Sequence, residues 1–133
     1  MDPSVIIETV KELFSGKNGV QLVFVFGSAV QRRLGPESDI DIAVQFDRKP
    51  DPFYINHLKD LIAEKLKREV DLVVLNQASP ILRMQVLKNG VLVYFSERMR
   101  YDQFFVDTIN QYDDLKRVRR PGEESILKGR IYA

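Results

Sequence analysis

Two aspartates separated by a single residue are the side chains of this sequence best suited to chemistry. Asp39 and Asp41 lie in an apolar segment that has the character of a β-strand. Because strand side chains alternate between the faces of a sheet, both carboxylates should project from one face. Two adjacent carboxylates repel each other unless a cation lies between them. Oxygen ligands of this kind suit Mg²⁺, which takes further oxygens from substrate phosphates. The pair therefore predicts a magnesium site.

A glycine-serine pair precedes these aspartates and follows the apolar run 22–26. Gly27 allows close approach of the backbone to a ligand, and Ser28 offers its hydroxyl and an N–H at a helix start. Such groups suit a phosphate. A phosphate cradle next to a metal-binding carboxylate pair indicates a nucleotide site.

This glycine-serine turn, followed by Asp-x-Asp on the next strand, resembles the signature of the nucleotidyltransferase superfamily. Residues 69–76, 80–87 and 90–94 resemble the minimal nucleotidyltransferases (MNT) and, more narrowly, the MNT antitoxins that are paired with HEPN toxins. The resemblance implies a nucleotidyltransferase fold, Mg²⁺, and ATP as substrate. It also implies a HEPN-family toxin as partner, whose tyrosine hydroxyl accepts AMP so that its ribonuclease activity is silenced.

A third acid, Asp71, begins another apolar run. Beside Asp39 and Asp41 it would complete the three-carboxylate site that the resemblance implies, as a general base or a metal ligand. The alternative is a solvated aspartate at the start of a strand, after the charged residues 67–69.

The turn departs from the pattern of close relatives, which usually read Gly-Ser-x-Ala-Arg/Lys-Gly. Here Gln31 stands where a cation is expected, and Arg32 follows one place later. One helical step of about 100° turns Arg32 away from that direction. Its long side chain makes it the candidate for a polyphosphate contact.

Two other functions remain open. The first is a non-catalytic antitoxin that blocks its toxin by binding, which Gln31 supports and the intact acids argue against. The second is a stand-alone nucleotidyltransferase acting on RNA or a small-molecule hydroxyl. The basic cluster 116–120 is its sequence support, although the same cluster fits a solvated helix end.

The composition is that of a globular protein of one domain, with 133 residues, 44% of them hydrophobic and 29% charged. The absence of cysteine excludes disulfides and thiolate zinc sites and fits a cytoplasmic location. No basic-then-apolar leader begins the chain, and no run approaches the roughly 18 apolar residues of a membrane span. A net charge of +1 argues against direct nucleic-acid binding through bulk electrostatics.

Three helices are predicted from capping residues followed by proline, at Asp2-Pro3, Asp51-Pro52 and Ser79-Pro80. Between them the apolar runs predict four strands, over about 20–26, 38–46, 69–75 and 91–95. The first run is nearly all apolar, so it should be central in the sheet. This order predicts a small α/β (α+β) layer structure of about four strands covered by helices, and the resemblance implies a nucleotidyltransferase fold with a mixed sheet.

The resemblance implies a minimal nucleotidyltransferase core over residues 1–96, followed by a C-terminal helix and tail over 97–133 that we expect to bind the partner. The helix should run from Glu97 to about Arg120, where Pro121-Gly122 would end it. Its aromatic residues are expected to serve packing rather than base stacking: Tyr101, Phe104, Phe105 and Tyr112.

Two further polar residues receive ordinary interpretations. Arg83, on the helix after Pro80, is expected to form a surface or helix–sheet salt bridge, with a phosphate or partner contact as the alternative. His57 is expected to be solvated on a helix face.

Overall fold

The structure, a computed structural model, describes residues 3–27 and 39–129, with side chains as far as residue 117. Four helices and four strands lie in these ranges, together with a 3-10 turn over Leu75–Gln77. In chain order they are α1 (Pro3–Phe14), β1 (Val20–Phe26), β2 (Ile40–Phe46), α2 (Pro52–Leu66), β3 (Val70–Val74), α3 (Pro80–Asn89), β4 (Val91–Phe95) and α4 (Arg98–Gly129).

The predicted capping residues begin their helices as expected. The Asp51 carboxylate accepts a hydrogen bond from the Phe53 N–H at 2.8 Å, and the Ser79 hydroxyl accepts one from the Leu82 N–H at 3.2 Å. Each bond satisfies a backbone donor that has no partner within the first helical turn. Helix α1 begins at Pro3, while Asp2 lies outside the described residues.

The four strands form one mixed sheet in the order β3-β2-β1-β4. Strand β1 pairs antiparallel with both β2 and β4, whereas β2 and β3 are parallel. The prediction that the first strand is central is confirmed. The predicted α+β class is confirmed as well.

Each face of the sheet has its own hydrophobic core. Helices α1 and α2 cover one face, where their side chains pack against alternate residues of the strands. This core includes Ile6, Val10 and Phe14 of α1, Leu58 and Ile62 of α2, and Val23, Val25 and Ile42 of the strands. Helices α3 and α4 cover the other face, whose core contains Leu22, Phe24, Ala43, Leu75, Val86 and Phe104. The sheet is thus the middle layer of three.

The first half of α4 packs on this second face through its aromatic residues. The ring of Phe24 lies 5.8 Å from that of Phe104 and 6.3 Å from that of Tyr101, measured between centroids. Phe104 is buried, which confirms the packing role expected for it. Phe105 differs, because 45% of its surface is exposed, although its ring lies 6.3 Å from that of Tyr101.

The expected end of this helix at Pro121-Gly122 was wrong, since α4 continues to Gly129. A proline inside a helix loses one backbone hydrogen bond and costs about 3 kcal/mol, which favours a break. The residues that follow include Glu, Leu and Lys, which are strong helix formers and favour continuation. None of the described helices is long and apolar enough to cross a membrane.

Candidate active site

The parallel pairing of β2 and β3 brings two of the predicted acids side by side. Asp41 is paired with Asp71 in the register of the two strands. Residues paired in this way point to the same face of the sheet, and Asp39, two residues before Asp41, shares that face. Since Ala43 belongs to the core beneath α3 and α4, the three aspartates lie on the face that these helices cover.

Asp41 is the electrostatic centre of this group. It is half-buried, whereas Asp39 and Asp71 are exposed. Burial raises the pKa of the Asp41 carboxyl above its ordinary value, and the negative charges of Asp71 and then Asp39 raise it further. A carboxylate held between two others is a position that a cation stabilises, so the donor set fits a hard divalent ion such as Mg²⁺.

The side chains do not, however, converge. Within residues 3–27 and 39–129, no three carboxylate or imidazole groups are arranged to hold a metal ion. Yet Asp39 and Asp71 are close enough to act on the pKa of Asp41. Strand pairing places the backbones of Asp41 and Asp71 side by side, while repulsion between the like charges opposes convergence of the carboxylates.

Gly27 directly follows β1 and lies beside the carboxylate of Asp41. Its backbone is left-handed, with φ +73°, a conformation that favours glycine. A Cβ on this residue would collide with Oδ2 of Asp41 and lie 3.2 Å from its Cγ. Sequence reasoning assigned Gly27 to a phosphate, and it missed this second constraint, which only the pairing of Phe26 with Asp41 reveals. The predicted nucleotide contacts Ser28 and Arg32 lie outside the described residues, as does Gln31.

Asn76 holds the other end of the strand pair that carries the acids, and sequence reasoning missed it. The Phe46 N–H donates to Oδ1 of Asn76 at 2.9 Å, and Nδ2 of Asn76 donates to the Phe46 carbonyl at 2.8 Å. The side-chain amide thus replaces a backbone partner at the end of β2. This pair of bonds secures the register in which Asp41 meets Asp71. The available signal was an amide residue just after the apolar strand.

Within the part of the chain that the structure describes, Arg83 makes hydrogen bonds to neutral groups and not the expected salt bridge. Its Nε donates to the Leu75 carbonyl at 3.1 Å and its Nη1 to Oε1 of Gln111 at 2.9 Å, while its guanidinium lies 5.8 Å from the centroid of the Phe104 ring. Arg83 therefore ties α3 to α4. His57 is exposed on α2, as expected.

Comparison with known proteins agrees with the nucleotidyltransferase fold expected from the sequence. The family described as polymerase beta, nucleotidyltransferase matches residues 8–99. The protein adenylyltransferase MntA of Shewanella oneidensis is 35% identical over 101 residues, which are 76% of this chain and 72% of that protein.

Two solved structures are similar along almost their whole length. A toxin–antitoxin crystal structure with AMP-PNP has a TM-score of 0.78 and 29% identity, covering 96% of this chain and 99% of that one. The MNT antitoxin in complex with the tri-AMPylated HEPN toxin of Shewanella oneidensis has a TM-score of 0.76 and 27% identity, covering 94% and 98%. The chain therefore belongs to the polymerase β-type nucleotidyltransferase family and, within it, to the group of the protein adenylyltransferase MntA.

Proposed function

We propose that this chain is an antitoxin-type protein adenylyltransferase, which transfers AMP from ATP to a tyrosine hydroxyl of a HEPN ribonuclease toxin and so neutralises it. The observation that carries the proposal is the likeness, along 94% of the chain, to an MNT antitoxin solved with a tri-AMPylated HEPN toxin. The register pairing of Asp41 with Asp71 supports it independently, because it puts two of the proposed acids on paired positions of neighbouring strands.

The polyphosphate of ATP would lie at the Gly27 turn, where Ser28 and Arg32 are the proposed contacts. Asp39, Asp41 and Asp71 would hold Mg²⁺, which neutralises phosphate charge when it is bound. Burial raises the pKa of Asp41, and the charges of Asp71 and Asp39 raise it further; this charge repulsion supports the assignment because it favours a cation.

In the proposed reaction the tyrosine oxygen attacks the α-phosphorus of ATP. The bond from the α-phosphorus to the oxygen that links the α- and β-phosphates breaks, and pyrophosphate leaves. The hydroxyl proton needs an acceptor, and Asp71 is the candidate where it is not itself a metal ligand.

The site is open to a macromolecular acceptor, because Asp39 and Asp71 are exposed at the end of the sheet. We assign residues 97–133 to partner binding and the reaction to the cytoplasm, where ATP and a ribonuclease toxin would both be found.

The test uses ATP labelled in either the α- or the γ-phosphate, incubated with the chain, Mg²⁺ and its HEPN partner. We expect label in the partner from the α-phosphate alone. The Asp41→Asn variant should give none, whereas Asp60→Asn, which removes an exposed carboxylate of α2, should act as wild type. Label from the γ-phosphate would indicate phosphorylation, and no label from either would contradict the proposal.

A further inference from the structure

Gly90 joins α3 to β4 at a place where no special backbone conformation is needed. Its φ of −91° and ψ of 166° are extended values that any residue adopts. Its N–H donates to the Val86 carbonyl at 2.8 Å and closes the last turn of α3. The reason for glycine here is therefore space rather than backbone freedom.

The space beside Gly90 is bounded by the last turn of α3 and by the end of β1. A Cβ on Gly90 would lie 2.6 Å from the Val86 carbonyl oxygen, 3.3 Å from Cβ of Phe26 and 3.5 Å from the Val25 carbonyl oxygen. The first distance is shorter than such atoms tolerate, and two of the three neighbours are backbone atoms. A side chain at this position therefore disturbs the last turn of α3, and Phe26 at the end of β1 would have to shift by a few tenths of an ångström.

The end of β1 is also where the nucleotide turn begins. Phe26 precedes Gly27, whose backbone lies against the Asp41 carboxylate. Val25 pairs with Val91, the residue after Gly90, so the contact and the strand pairing act on the same segment. On the basis of the proposed function, we infer that Gly90 is a positioning residue. Through its contact with Phe26 it fixes the position of Gly27 relative to the aspartates.

Gly16 offers a matched control. Unlike Gly90 it has a left-handed backbone, with φ +76°, and a Cβ there would meet nothing within 4 Å. Gly16 precedes β1, whereas Gly27 follows it, so the two glycines lie near opposite ends of the strand. Gly16→Ala introduces backbone strain without moving the turn.

The experiment compares Gly90→Ala with Gly16→Ala by amide NMR and by titration with Mg-ATP. We expect Gly90→Ala to shift the Gly27 and Asp41 amide resonances and to weaken Mg-ATP binding by about tenfold, less than the roughly hundredfold loss of rate that a misplacement of about 1 Å can cause. Gly16→Ala should leave both unchanged. Equal effects of the two variants, or wild-type resonances and binding in Gly90→Ala, would overturn the inference.

A measurement on the wild-type chain covers the case in which Gly90→Ala does not fold. Mg-ATP binding should shift the Gly90 amide resonance and leave that of Gly16 in place, and an unmoved Gly90 resonance would overturn the inference. A chain that binds Mg-ATP but never modifies the partner contradicts the proposed function alone. If no nucleotide binds, the inference is tested by the Gly27 and Asp41 amide resonances alone. They should differ between Gly90→Ala and wild type, and unchanged resonances would overturn the inference.

Discussion

Replacing Asp41 by asparagine should raise stability and abolish activity together. Asp41 is half-buried between Asp39 and Asp71, and its pKa is raised by burial and by both negative charges. Like charges on paired strand positions destabilise by roughly 0.2–1 kcal/mol. Because Asp39 and Asp71 are exposed and therefore screened, we expect a gain of about 0.5 kcal/mol. For a domain of this size that is a rise in Tm of about 2 °C.

The gain should depend on pH with a definite sign. A carboxyl whose folded pKa lies above its ordinary value of 3.8 holds its proton more tightly in the native state. Its contribution to stability is therefore greatest at low pH and is lost as the pH rises through the raised folded value. The difference in Tm between Asp41→Asn and wild type should vanish below about pH 3.8 and be complete at neutral pH.

Mg-ATP should reverse the order of the two proteins. At a hundred times its Kd, a ligand stabilises the protein that binds it by about 2.7 kcal/mol. Wild type should gain this stability and Asp41→Asn should not, while AMP transfer falls by at least about a hundredfold, more than second-sphere ligand changes cost. Thermal melts with and without Mg-ATP, beside transfer assays, measure all of these effects. A less stable variant, or one with near-normal transfer, would refute the reasoning.

Three other changes probe the remaining parts of the account. Gly27→Ala should lose ATP binding and about 1–2 kcal/mol of stability, because the methyl group collides with the Asp41 carboxylate in a left-handed backbone; wild-type ATP titration would contradict this. Asn76→Asp should cost about 1–3 kcal/mol in urea unfolding, since the Phe46 carbonyl loses its donor, and an unchanged midpoint would show that the clamp is dispensable. Truncation after Arg120 should leave the melting temperature nearly unchanged and weaken toxin binding in a pull-down; a large drop in melting temperature with undiminished binding would contradict the assignment of a partner-binding tail.

The elements of the fold were predictable because each has a local signal. Apolar runs gave the four strands, and a capping residue followed by proline gave the starts of α2 and α3. The C-terminal end of α4 was not predictable in the same way. There the local preference of Pro121 for a break competes with good helix formers on both sides, and the helix continues.

The site was predictable in composition but not in geometry. Alternation along a strand places Asp39 and Asp41 on one face from sequence alone. The pairing of Asp41 with Asp71 depends on the parallel register of two strands separated by α2, which no local pattern specifies. The contacts of Gly27 with Asp41, and of Gly90 with Phe26, are likewise tertiary, so the sequence marks these glycines without giving their reasons.

The most direct test of the central claim is the intact mass of the HEPN partner after incubation with this chain, ATP and Mg²⁺. The account predicts that the partner gains mass in whole adenylyl units and loses ribonuclease activity, and that Asp41→Asn produces neither change. A partner that is inhibited at unchanged mass would contradict the claim, because inhibition would then come from binding alone.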